Sequence, residues 1–230
     1  MDTTQIKAVP IGLEYLLQLN QLVVREKLER GAQTECAERE VSTFQGQSRF
    51  FDVLDPAGQR ILQATQESLC CEPFYNLKIT DNHNRELLEI VQECECTFTK
   101  QVYVYVLGVN LIGMVKLHLN SFVTHLSVMN PSQDVMLHII GPGFQTNVFG
   151  NCCFEVKSRD EQHVVGMIKT ENGQFFLTFP LDLDVSVKAL LLGGCFFLDN
   201  LISLHKRQLT APRTNNWQNR QQGYQAAYAW

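Results

Sequence analysis

Residues 175–204 read Phe-Phe-Leu-Thr-Phe-Pro-Leu-Asp-Leu-Asp-Val-Ser-Val-Lys-Ala-Leu-Leu-Leu-Gly-Gly-Cys-Phe-Phe-Leu-Asp-Asn-Leu-Ile-Ser-Leu, and the reading of this stretch decides the fold. Within it Ala189, Leu190, Leu191, Leu192, Gly193, Gly194, Cys195, Phe196, Phe197 and Leu198 form an unbroken uncharged run. A membrane-spanning helix needs roughly 20 apolar residues, whereas a run of about 10 to 14 is the length of a helix buried in a protein core. Asp199 favours burial in protein, because an unpaired carboxylate in lipid is costly, and the helix is expected to end near it. A helix apolar on all sides must be wrapped on all sides. Gly193 and Gly194 each weaken a helix by roughly 1 kcal/mol relative to Ala, so they mark positions where the wrapping elements come close.

The rest of the chain supplies the wrapping. Residues 12–30 begin with helical spacing at Leu13, Leu16 and Leu17 and run on into a strand; residues 31–40 are polar and read as a loop. From Arg49 onward, β-branched and aromatic runs alternate with turn signals about every 8 to 12 residues, the pattern of an all-β sandwich or barrel. Asp55-Pro56-Ala57-Gly58, Asp81-Asn82-His83-Asn84, Asn130-Pro131-Ser132-Gln133 and Glu171-Asn172-Gly173 are the hairpin turns. Gln101 to Leu107 alternates cleanly, with Val102, Val104 and Val106 on one face and Tyr103 and Tyr105 on the other.

About twelve strands result, and closure into a barrel is the most complete way to protect their edges. A barrel of that size has a lumen too wide for side chains alone, and the apolar helix fits it. The predicted architecture is a mainly β, closed antiparallel barrel around a buried C-terminal helix at about Val185 to Leu204. One conflict stands: Leu181, Leu183, Val185 and Val187 alternate with Asp182, Asp184, Ser186 and Lys188 as in a strand. In the competing reading, Asp182 or Asp184 caps the helix. The predicted organisation is an N-terminal segment 1–11, a barrel domain 12–204 and a polar, aperiodic tail 205–230 expected to be disordered.

The totals narrow the function. The chain has 230 residues, 45% of them hydrophobic, and a formal net charge of -5. That charge does not provide the cationic surface on which nucleic-acid binding rests. Eight cysteines and a polar N-terminus without a signal-peptide pattern predict reduced thiols in the cytosol. No Gly-rich phosphate loop, nucleophile elbow or paired hydrolase carboxylates occur, so an enzyme is not expected. Asp182 and Asp184 are candidate Ca²⁺ ligands beside their reading as caps. Cys94 and Cys96 are candidate acylation sites beside their reading as ordinary thiols, and they lack the paired C-x₂₋₄-C spacing of a zinc site. His118, His125 and His138 in the strands read as structural residues.

Several segments together resemble the phospholipid scramblase family. They are Val-Pro-Ile-Gly-Leu-Glu-Tyr-Leu (9–16), Leu-Lys-Ile-Thr-Asp-Asn (77–82), Ile-Ile-Gly-Pro (139–142), Phe-Glu-Val-Lys-Ser (154–158), Asp-Glu-Gln-His-Val-Val-Gly-Met-Ile-Lys (160–169), Phe-Pro-Leu-Asp-Leu-Asp-Val (179–185) and Gly-Gly-Cys-Phe-Phe-Leu-Asp (193–199). The resemblance implies a tubby-like barrel with a central helix. It also implies Ca²⁺-dependent, bidirectional movement of phospholipids across the plasma membrane by a protein anchored at the cytoplasmic face through acylated (palmitoylated) cysteines and the C-terminal helix. Membrane phospholipids are then the expected partners, with protein partners besides. Among its departures from the family, the acidic calcium segment before Phe179 is shortened, leaving Asp182 and Asp184, and the cysteine run is reduced to Cys94 and Cys96. Those departures favour an alternative of another class, a non-transporting barrel that binds lipid, protein or DNA as a regulatory module.

Overall fold

The computed structural model describes residues 9–27, 48–67, 75–92, 100–119, 122–143 and 151–210. A short 3₁₀ turn, Glu14–Leu16, precedes twelve strands: β1 Gln21–Lys27, β2 Arg49–Leu54, β3 Arg60–Glu67, β4 Tyr75–Asp81, β5 Glu86–Gln92, β6 Gln101–Val106, β7 Asn110–His118, β8 Val123–Met129, β9 Val135–Pro142, β10 Cys153–Ser158, β11 Val164–Glu171 and β12 Gln174–Thr178. One helix follows, α1 Val185–Thr210. Each strand pairs with its neighbour in sequence, and β12 closes onto β1 to complete a barrel. Because the meander has an even number of strands, its first and last members also meet antiparallel, with Leu22 opposite Leu177 and Val24 opposite Phe175. The expected fold class is the observed one.

Alternation within each strand divides the barrel wall. Leu22 and Val24 of β1, Phe51 and Val53 of β2, Leu77 and Ile79 of β4, Val102 and Val104 of β6, Leu126 and Val128 of β8, and Phe154 and Val156 of β10 are buried and line the lumen. Apolar burial of about 25 cal/mol per Å² makes this interior the main source of stability, and α1 supplies its centre.

Tight turns close one end of the barrel. At the β4–β5 turn the Asp81 carboxylate accepts hydrogen bonds from the backbone N–H of His83 (2.8 Å) and Arg85 (2.9 Å) and from Arg85 Nε (2.7 Å). At the opposite end, Asn172 and Gly173 adopt φ of 51° and 76°, the left-handed pair that a type I′ hairpin requires. The other connections at that end include residues outside the described set.

Two boundaries differ from the sequence expectation. The alternating run 181–187 is a turn followed by the start of the helix, because β12 ends at Thr178 and the chain folds back into the lumen. The helix does not end near Asp199 but continues to Thr210, because Asp199 has an ion-pair partner inside the barrel and Lys206 and Arg207 are exposed beyond the wall. Residues 205–210 of the expected tail are therefore helical; residues 211–230 lie outside the described set.

Candidate functional site: the core helix and its two mouths

α1 enters the lumen at the end closed by the tight turns. Asp184 caps it: its Oδ1 accepts the Ser186 amide at 2.8 Å, and its carbonyl accepts the Lys188 amide at 3.0 Å. A carboxylate in this position satisfies an orphan amide and complements the helix dipole. One turn further in, Lys188 has no exposed surface. Its ammonium donates to the carbonyls of Leu16 (3.0 Å), Leu17 (3.4 Å), Leu19 (2.8 Å) and Leu181 (2.7 Å) and lies 5.3 Å from the Phe179 ring centroid. Desolvation holds it below the ordinary lysine range, partly offset by Asp182. Lys188 thus ties the 3₁₀ turn and the segment before the helix to the helix itself.

Along the middle, Ala189 to Leu198 are all buried. A Cβ on Gly193 would lie 2.8 Å from Val104 Cγ2, and one on Gly194 would lie 2.8 Å from Ile139 Cδ1. The glycines are where the wall, at β6 and at β9, comes close to the helix, as their sequence position suggested. By length and composition Val185–Arg207 could cross a membrane, yet 78% of its apolar window is buried inside the protein.

At the other mouth Asp199 meets Arg49 of β2, with Arg49 Nη1 2.7 Å from Asp199 Oδ2. Glu26 of β1 holds the same guanidinium at 2.6 Å through Nε and 3.0 Å through Nη2. Burial pushes the Asp199 carboxyl above its ordinary value, and Arg49 counteracts this in part. Tyr75 Oη donates to the Phe196 carbonyl at 3.4 Å, and Phe51 packs edge-on against Phe196 at 5.4 Å. Beside this group opens a cavity of about 280 Å³ whose lining includes Glu26, Arg49, Glu171, Asp199 and Lys206.

At the mouth where the helix enters, large aliphatic side chains face solvent: Ile11, Leu17, Leu107, Val109 and Leu181. They are brought to one rim. Gly12 sits against Leu107, and Lys188 bridges the carbonyls of Leu17 and Leu181.

The sequence candidates fare differently. Asp182 and Asp184 are both exposed, and Asp184 is engaged as a cap. Two such carboxylates do not supply the six to eight oxygens that Ca²⁺ takes. Cys94 and Cys96 fall in the β5–β6 connection, outside the described residues. His118, His125 and His138 are partnered, but as one cluster with Ser127 and Glu161 on the outer wall. Sequence reasoning missed Arg49, Lys188 and Glu161. Only the His cluster left a signal, since hairpin pairing across two successive turns brings its strand positions together.

The family model described as Scramblase matches residues 1–202. Human phospholipid scramblase family member 5 is 27% identical over 222 residues, spanning 86% of this chain and 79% of that protein. Mouse phospholipid scramblase 1 is 28% identical over 83% of this chain, which spans 63% of that relative, and bovine phospholipid scramblase 2 is 29% identical over 83% of this chain and 70% of its own length. Among solved structures, an Arabidopsis thaliana protein aligns over 82% of this chain and 98% of its own at 10% identity, with a TM-score of 0.48.

Proposed function

The chain belongs to the scramblase family, and on that premise we propose that it promotes bidirectional, ATP-independent movement of phospholipids between the leaflets of the plasma membrane, acting from the cytoplasmic face without covalent chemistry. The observation that carries this reading is the family match, which runs through the whole barrel and into α1. The structure supports a division of labour. With α1 enclosed, lipid is met from outside, and the exposed rim of Ile11, Leu17, Leu107, Val109 and Leu181 is the surface that enters the bilayer interface. Acylation of Cys94 and Cys96 adds the anchor. No step is assigned to Ca²⁺, because Asp182 and Asp184 do not fit it.

The enclosed helix also favours a second reading, a barrel that binds lipid or protein at a membrane and does not transport. One assay separates the two. The purified protein is reconstituted into vesicles carrying a fluorescent phospholipid, with and without Ca²⁺, and a membrane-impermeant quencher scores the label it reaches. Transport makes the reachable fraction rise above the one-leaflet level in both conditions. Folded, vesicle-bound protein that leaves it at that level establishes the non-transporting reading instead, and a rise confined to Ca²⁺ would restore the metal to the mechanism.

A further inference from the structure

Three histidines converge on the outer face of β7, β8 and β9, away from the lumen. His118 and His125 are direct cross-strand partners, and His138 stands opposite Ser127, one outward position along β8 from His125. The ring centroids of His118 and His125 are 4.7 Å apart, and those of His125 and His138 are 4.9 Å apart. A carboxylate joins them from a different element. Glu161 occupies the β10–β11 turn with φ of 59°, and its Oε1 lies 3.6 Å from His125 Nε2 and 3.8 Å from His138 Nε2.

We propose that His125, His138 and Glu161 form a binding site for a divalent first-row transition-metal ion of the Zn²⁺ type, set into the outer wall of the barrel. The donor set selects the ion class: two imidazoles and one carboxylate suit Zn²⁺, whereas Ca²⁺ and Mg²⁺ favour all-oxygen shells. The spacing fits as well. Zinc bonds of about 2.0–2.2 Å in a tetrahedral site separate neighbouring ligand atoms by roughly 3.3–3.5 Å, and one donor atom from each of the three residues lies within 4.8 Å of the others. Closing on an ion takes shifts of a few tenths of an ångström in the two histidine–carboxylate separations and a larger turn of one imidazole, which brings the two ring nitrogens from within 4.8 Å to ligand spacing. Three protein ligands leave a fourth position, open to solvent on the side of Glu161, whose side chain is 44% exposed.

An outer shell is already in place. His138 Nδ1 lies 3.3 Å from Ser127 Oγ, which lies 2.7 Å from His118 Nε2. With an ion on His138 Nε2, the Nδ1 hydrogen is donated to Ser127 and the serine hydrogen to His118, which fixes the tautomer a metal requires. The 2.9 Å contact between His125 Nε2 and His138 Nδ1 holds the pair together without an ion and is exchanged for bonds to it. Burial first, and His138 second, hold His125 below its ordinary value of 6.5, with Glu161 opposing them. Occupancy pins the β10–β11 turn to β8, a strand with which neither β10 nor β11 pairs.

The test uses the full chain, reduced and stripped with a chelator. It is titrated calorimetrically with Zn²⁺, and separately with Ca²⁺ and Mg²⁺, and its thermal unfolding is followed with and without Zn²⁺. Binding by one Zn²⁺ ion that raises the melting temperature is expected, with no response to Ca²⁺ or Mg²⁺ at this site. Glu161→Gln and His125→Gln should each weaken Zn²⁺ binding by about tenfold or more and abolish the shift, while His163→Gln, on the same turn, leaves both unchanged. Glu161 is on an exposed turn, so its variant keeps the test valid if the His125 variant fails to fold. Co²⁺ should give a visible band that Glu161→Gln removes, without the near-ultraviolet thiolate band that cysteine ligation produces. Zn²⁺ affinity and stabilisation that survive Glu161→Gln unchanged, or Co²⁺ bound only through thiolates, would overturn the proposal.

Discussion

A lysine without exposed surface destabilises a fold unless its protons all find acceptors, and Lys188 reaches four backbone carbonyls at the mouth of the barrel. Lys188→Met keeps most of the aliphatic length but strands those carbonyls, so it should lower stability by about 3 kcal/mol, read by chemical denaturation; a loss below about 1 kcal/mol would mean that water replaces the ammonium there. Arg49 poses the opposite problem. Arg49→Ala leaves the half-buried Asp199 without its ion-pair partner, at a cost of about 3 kcal/mol at neutral pH. Burial raises the Asp199 pKa above its ordinary 3.8, and the variant raises it further. In the window between 3.8 and the raised value the folded state holds more protons than the unfolded one, so this group's contribution to stability falls as pH rises and recovers as pH falls. The deficit of Arg49→Ala against the parent should therefore shrink between pH 7 and about pH 5. A pH-independent deficit would assign the loss to packing. Neither group was legible as functional in the sequence: Asp199 read as a helix end because Arg49, its partner, lies 150 positions away, and Lys188 sat in an ambiguous alternation.

At the scale of the element, α1 and the strands were legible for different reasons. Strand alternation is local, so the strands from Gln101 to Val106 and from Gln174 to Thr178 could be placed from periodicity alone. The helix was found from its apolar run, but its end was not, because the last turns leave the lumen and carry the polar residues of a solvated surface. The two glycines test how tightly the wall holds it. Gly193→Ala would drive a methyl into Val104 Cγ2, and a valine has no terminal rotor with which to yield. Gly194→Ala clashes with the end methyl of Ile139, which can turn away, and meets Val115 at ordinary contact distance. Overpacking costs about 1–3 kcal/mol, and replacing Gly by Ala in a helix returns about 1 kcal/mol. Gly193→Ala should therefore destabilise by about 1–2 kcal/mol, while Gly194→Ala stays within about 1 kcal/mol of the parent. Unfolding midpoints in the reverse order would show that the helix can shift within the barrel.

For the whole molecule, the question is whether the barrel and its helix stay together at a membrane. Unwrapping α1 would expose the inner faces of twelve strands and break the contacts of Lys188 and Asp199 at both mouths, so insertion of the helix into lipid would have to replace the entire core. Cys195 reports on this directly. It has no exposed surface, and burial pushes its thiol well above the ordinary range, with Asp199 adding to the effect. Cys153 is exposed and serves as the internal standard. With vesicles present, Cys153 should react with a water-soluble maleimide, while Cys195 should stay unlabelled by both that reagent and a lipid-soluble one, as read by peptide mass analysis. The two reagents matter because a helix in lipid would hide its thiol from water but not from a probe dissolved in the bilayer. Labelling of Cys195 by the lipid-soluble reagent alone would mean that the helix leaves the barrel and enters the membrane, whereas protection from both means that lipid is handled by the outer surface of a closed barrel.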